Sequence, residues 1–277
     1  VGGRFARNRL SVIGLGAILA VVAVAALGPA LAPFPEDATG HIDMARRLQP
    51  PSRAHPFGTD EMGRDVFSRV VIGSRVSLGV GFLVLTMAVG IGVTLGAIAG
   101  FLAGAAGELI MRVTDIFLTI PSLILALAIS AALGPSIANV ILALSLVWWP
   151  AYCRLVQGEV LSRKSETYVA AATGVGAGWP RVLFRHVLPN CLSPVLVKAS
   201  LDMGFIILTA AGLGFIGIGA RPPTPEWGQM ISTGRHFMPA WWWYPVFPGL
   251  AIFVTAMGFN LLGDGLRDLF DPRTRRG

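Results

Sequence analysis

Residues 165–190 read SETYVAAATGVGAGWPRVLFRHVLPN, a long polar interruption between strongly apolar segments that decides how the second half of the chain is organised. Ser165 is placed to cap a helix, with Glu166 in the first turn, where the helix dipole favours negative charge. Ala170, Ala171 and Ala172 continue that helix as strong formers that leave a thin, smooth surface. Gly174, Gly176 and Gly178 then end it, and Pro180 is positioned to open a second helix. The predicted product is a short helix, a sharp turn and a basic helix carrying Arg181, Arg185 and His186. Composition alone makes such a stretch a solvated loop. Its shape also suits a knob that docks in another protein's groove.

The flanking sequence is that of a membrane protein. Of 277 residues, 54% are hydrophobic and 13% charged, with a mean hydropathy of +0.68, whereas soluble domains carry about 25% charged residues. A formal charge of +7 would suggest nucleic acid in a soluble chain, but in a membrane protein basic residues mark cytoplasmic loops and anionic headgroups. No interleaving of aromatic and basic residues supports nucleic-acid binding. Cys153 and Cys191 form neither a disulfide framework nor a paired metal motif.

About 20 residues cross the hydrocarbon core, and six apolar stretches meet that length. The expected spans are 10–32, 78–104, 112–133, 136–153, 194–219 and 245–264, with Gly134-Pro135 dividing the third from the fourth. The first run is too long for a signal-peptide core and reads as a retained anchor. The chain thus divides into a cytoplasmic N-terminus (1–9), a first helix (10–32) and an extracytoplasmic loop with an interfacial helix (33–77). A five-helix core (78–264) containing the cytoplasmic loop 154–190, and a cytoplasmic tail (265–277), complete it. Six spans put both termini on one side. Thirteen basic residues fall on that side and eight on the other, which makes it the inside.

Within the spans, Gly92, Gly96, Gly100 and Gly104 recur every fourth residue and line one helix face for close packing. Trp148 and Trp149, and Trp241 to Tyr244, stand where aromatic belts are expected. Gly212 to Gly217 spells a dinucleotide fingerprint but lies inside an apolar span, the wrong context for one. GxxxxGK[ST], HExxH and GxSxG are absent, so the chain is neither its own P-loop ATPase nor a common intramembrane hydrolase.

Two further clusters stand out. In His55 to Asp65 (HPFGTDEMGRD), Thr59 or Asp60 is placed to cap a helix with Val66, Phe67, Val70 and Val71 on one side. Local capping is the first explanation of these residues, and contact with an extracytoplasmic partner the second. Lys198 and Asp202 lie four apart near the inner end of the fifth span. A pair on one helix face is the expected arrangement, with a pathway or gating role as the alternative, since ionisable groups inside a membrane are expensive.

These stretches together resemble the permeases of ABC importers, specifically the C-type subunit of the dipeptide, oligopeptide and nickel family. Ala170 to Ala172, Gly176 and His186 to Pro189 fall in the register of that family's coupling loop, with Ala170 where Glu is usual. His55 to Leu78 resembles the family's outer signature almost throughout. Further similarity lies in Met111 to Asp115 with Pro121, Arg221 to Gly228, Asn260 to Arg267 and Asp271 to Arg273, while Gly214 stands where Ser is common.

The resemblance implies an all-helical, six-span, non-enzymatic permease subunit in a bacterial-type inner membrane. It implies a sister permease, two ATPase subunits that bind ATP and Mg, and an extracytoplasmic binding protein, with no cofactor or metal on this chain. The ATPase contact falls on Tyr168, Ala170, Ala171, Ala172, Gly176, His186 and Pro189, and the outer partner contact on Asp60, Arg64, Asp65 and Trp227. The competing class is an ion-coupled secondary transporter, which needs a midplane ion cluster on broken, repeated helices.

Overall fold

Apolar runs bounded by Pro and Gly become long helices, and the computed structural model, which describes residues 9–102 and 104–270, is all-helical. Its helices are α1 (Arg9–Leu31), α2 (Val66–Leu102), α3 (Ala105–Thr119), α4 (Ser122–Leu133) and α5 (Ile137–Lys164). They continue with α6 (Thr167–Gly174), α7 (Trp179–Ile216), α8 (Trp227–Gly234) and α9 (Trp243–Phe270). Five are long and apolar enough to cross a membrane, and α3 with α4 makes a sixth if that bent pair counts as one span. Residues 1–8 and most of the expected tail, 271–277, lie outside the described residues, as do Arg4, Arg7, Arg273, Arg275 and Arg276 of the orientation count.

Several boundaries differ from expectation for identifiable reasons. The interfacial helix is not separate: Val66 opens α2, which runs 37 residues without a break, about 55 Å at 1.5 Å per residue. Its cap is Asp65, whose Oδ2 accepts from Ser68 N at 2.7 Å, rather than Thr59 or Asp60. The expected third span is bent by 93° between α3 and α4, because Pro121 forces Ile120 into extended backbone (φ −91°, ψ 129°). Pro180 does open α7, which passes through a π-turn at Val182–Val187 and a tight turn at Leu188–Cys191 before settling as α-helix at Leu192. The last helix runs to Phe270, beyond the expected end at 264.

The densest seam joins α2 and α5. A Cβ at Gly92 would fall 2.5 Å from Trp149 O, one at Gly96 2.4 Å from Cys153 O, and one at Gly100 2.9 Å from Gln157 O. The four-residue repeat is therefore a helix crossing, as its spacing predicts. Gly104 is outside it, in open space with φ +85° in the break before α3. Trp149, Tyr152, Cys153 and Val156 fill the core beside the seam, so Trp149 is a core residue and no belt anchor. Trp243 and Tyr244 are likewise buried, whereas Trp242 is exposed. Gly14 of α1 sits against Gly258 and Leu261 of α9, where its Cβ would meet Leu261 Cβ at 2.7 Å.

Candidate functional site

Two polar assemblies occupy opposite ends of α2. At the Leu102 end, Lys164 closes α5 by donating from Nζ to the carbonyl of Phe101 at 2.5 Å, so a cation meets the negative end of α2. Ser165 belongs to this helix end: it is the C-cap of α5, with Oγ donating to Ser162 O at 3.2 Å, and the residue before α6 is Glu166. The expected Ser165 cap gives way because α5 continues eleven residues past 153.

α6 is fixed to the core along one face. Val169 is buried, and Ala172 and Ala177 pack against the same cluster. The rest of its surface is open: Tyr168 is 37% exposed, and Ala170, Ala171, Gly174 and Gly176 are exposed with it. Gly176 has φ +85°, the left-handed turn that favours glycine, and Val175 beside it is 86% exposed. His186 is half-buried in the π-turn and Pro189 exposed in the turn that follows. An open groove of about 620 Å³ runs beside the helix, lined by Phe101, Lys164, Ala170 and Thr173. Of the sequence-predicted docking residues, Tyr168, Ala170 and Ala171 share the exposed surface of α6, Gly176 stands in the turn after it, Ala172 helps hold it, and His186 and Pro189 lie apart in the first turns of α7. Val169 escaped the sequence reading because a lone Val among alanines carries no periodic signal.

At the Val66 end, the HPFGTDEMGRD segment is an internal knot. Asp60 accepts from Met62 N and Arg64 N at 2.9 Å each and from Arg64 Nε at 2.7 Å. His55 Nδ1 lies 2.9 Å from Asp65 Oδ1, and Asp65 N donates to Asp37 Oδ2 at 2.7 Å. Burial pushes the Asp37 carboxyl above its ordinary range, partly offset by that backbone hydrogen bond. Arg69 is 1% exposed, with Nε 3.5 Å from Asp60 and Nη1 donating to Asp37 O at 3.0 Å. Gly63 (φ +77°) passes so close to Asp43 O that no side chain fits.

Trp227 closes this region, donating from Nε1 to Val70 O at 3.0 Å. Glu226 caps α8 by accepting from Gly228 N and Gln229 N at 2.8 and 2.9 Å, and burial raises its carboxyl pKa despite those bonds. A Cβ at Gly214 would fall 2.4 Å from Glu226 Oε2, which explains glycine at that position. Asp60, Arg64, Asp65 and Trp227, four residues expected at an outer contact, are all buried. Their partners are within the chain, and any protein meeting this end meets the exposed residues around them. Asp37 and Arg69 complete the knot, but their separation in sequence hid the pairing.

Lys198 and Asp202 make the expected pair, with Nζ 3.0 Å from Oδ2. Sequence reading missed the third member, Tyr152 on α5, whose ring centre is 5.3 Å from Lys198 Nζ. Its place in an apolar run beside two tryptophans made it look like packing.

Residues 92–276 match the model of the binding-protein-dependent transport system inner membrane component, and residues 2–51 that of the N-terminal TM domain of oligopeptide transport permease C. The chain belongs to the first of these families, as a multi-pass inner-membrane transport component rather than an enzyme. Its relatives include a probable D,D-dipeptide transport system permease protein of Escherichia coli, 52% identical over 84% of this chain and 78% of the relative. A dipeptide transport system permease protein of Alkalihalophilus pseudofirmus is 44% identical over 97% of this chain and 88% of its own. A glutathione transport system permease protein of Pectobacterium atrosepticum is 42% identical over 98% and 90%.

Proposed function

We propose that this chain is the C-type permease subunit of an ATP-driven importer for peptides or a related small solute. The relatives are named for D,D-dipeptides, dipeptides and glutathione, which share an amide backbone and a free carboxylate. A sister permease completes the pathway, two ATPase subunits bind ATP and Mg, and a binding protein delivers cargo at the Val66 end of α2. The basic-residue count favours termini and α6 on the cytoplasmic side.

The observation that carries this reading is α6 itself. It projects Tyr168, Ala170 and Ala171, with Gly176 in the turn that follows, and Val169 seats it on the core that also holds α5 and the start of α7. Moving a two-state gate from 1:99 to 99:1 takes about 5.5 kcal/mol of differential stabilisation, which a loosely tethered loop does not transmit. A helix seated on the two flanking spans does.

Replacing Gly176 by Val tests the reading, since a β-branched residue is strained at positive φ. ATP hydrolysis should continue while uptake is lost, and unchanged uptake counts against the model. Uptake into vesicles should stop without ATP and ignore a proton uncoupler; the opposite pattern favours a secondary transporter. Mass spectrometry of the ligand co-purifying with the binding protein identifies the cargo.

A further inference from the structure

The two spans joined by the coupling segment, α5 and α7, meet across three ionisable side chains. Lys198 Nζ lies 3.0 Å from Asp202 Oδ2 and 3.2 Å from Oδ1, with the Tyr152 ring 5.3 Å away across the seam. Tyr152 is 0% exposed, and its hydroxyl makes no well-aligned hydrogen bond among the described residues. That hydroxyl is close enough to Asp202 to feel its carboxylate, whose Oδ2 pairs with the Lys198 ammonium. The Tyr152 Cβ packs against α2, where a Cβ at Gly92 would fall 2.5 Å from it.

A buried hydroxyl without a partner is destabilising, so phenylalanine serves a purely space-filling role better. Here a buried phenol lies near a carboxylate that Lys198 holds, at a seam between the helices that the coupling segment connects. A second arrangement is at hand in which the phenol donates to Asp202 and Lys198 is set free. Elements with two arrangements of similar energy are what a binding event can shift.

We propose that Tyr152 is a positioning residue for transport: it steadies the Lys198–Asp202 pair at the α5–α7 seam, and the seam opens as the phenol takes Asp202 and releases Lys198. This rests on the coupling reading above, in which movement of α6 reaches both helices.

The test uses the complete transporter in lipid vesicles, with ATP hydrolysis measured with and without the binding protein carrying its co-purified cargo. Tyr152→Phe keeps the ring and removes only the O–H. It should change the ratio of stimulated to basal hydrolysis by about threefold to tenfold, the factor one hydrogen bond is worth, while assembly stays at the wild-type level and thermal stability is equal or higher. A wild-type ratio in a normally assembled Tyr152→Phe complex overturns the proposal. The double variant Lys198→Met/Asp202→Leu removes both charges together, a change buried pairs often tolerate. It should alter the ratio likewise, and a wild-type ratio there is also fatal. Gly176→Val separates the two ideas. If it abolishes stimulation while Tyr152→Phe changes nothing, the latch fails and the coupling reading stands; if it leaves stimulation intact, the coupling reading itself falls.

Discussion

Arg75 of α2 donates from Nε to the carbonyl oxygen of Ala25 in α1, and from Nη2 to that of Ala26 at 2.6 Å. The reason lies four residues on. Pro29 is inside α1 and has no N–H, so the Ala25 carbonyl loses its helical donor. The guanidinium replaces it and fastens α1 to α2.

Arg75→Leu should therefore destabilise the folded chain by about 1–3 kcal/mol, the cost of stranding a backbone acceptor away from water. Pro29→Ala in the same chain restores the helical hydrogen bond and should recover part of the loss. A double-mutant cycle read by thermal unfolding in detergent checks this; strictly additive effects of the two changes exclude the pairing.

The α2–α5 crossing makes a prediction of opposite sign at neighbouring glycines. A Cβ at Gly96 would fall 2.4 Å from Cys153 O, whereas at Gly90, in the same helix, it meets nothing within 4 Å. Gly96→Ala should force the helices apart and lower both the unfolding temperature and the yield. Gly90→Ala should be neutral or stabilising by up to about 1 kcal/mol, as Ala is the better helix former. Equal effects at the two sites contradict the crossing.

Much of this architecture was legible in the sequence because lipid makes the rules strict. Apolar length located five of the helices, the four-residue glycine repeat located the seam, and Gly176 with Pro180 located the turn after α6. What was not legible depended on distant partners. The Asp37–Asp65 link, the Arg69 contacts, the Val169 anchor and the Tyr152 seam each join residues whose proximity no local pattern encodes. The outer signature was misread in one respect for the same reason: charged residues in a loop look exposed until their partners are known, and here they face one another.

The outer knot should accordingly govern stability before it governs recognition. Asp65→Ala removes the cap on Ser68 N and the partner of His55 Nδ1, a loss of about 1–3 kcal/mol. Membrane abundance and unfolding temperature should fall, while the complexes that do assemble bind the loaded binding protein with wild-type affinity in surface-plasmon or pull-down titrations. A stable Asp65→Ala protein with weakened partner binding reverses that assignment.

The Glu226 cap gives the fold a pH dependence with a definite sign. Burial is the largest influence on this carboxyl and holds it above its ordinary value of 4.5, with the Gly228 and Gln229 amides opposing. The folded chain therefore binds this proton more tightly than the unfolded chain, so the stabilisation is fully present below the unfolded value and is lost as pH rises through the folded one. Asp37, raised mainly by the same cause, contributes in the same direction. Unfolding temperature should decline as pH is raised from about 4.5 toward neutrality, and Glu226→Gln should flatten that decline. The glutamine variant also loses part of the cap, so its stability at the acidic end drops while its slope shrinks. A slope identical to wild type, measured across the same pH series in the same detergent, would show that Glu226 is ionised in the folded chain as readily as in the unfolded one.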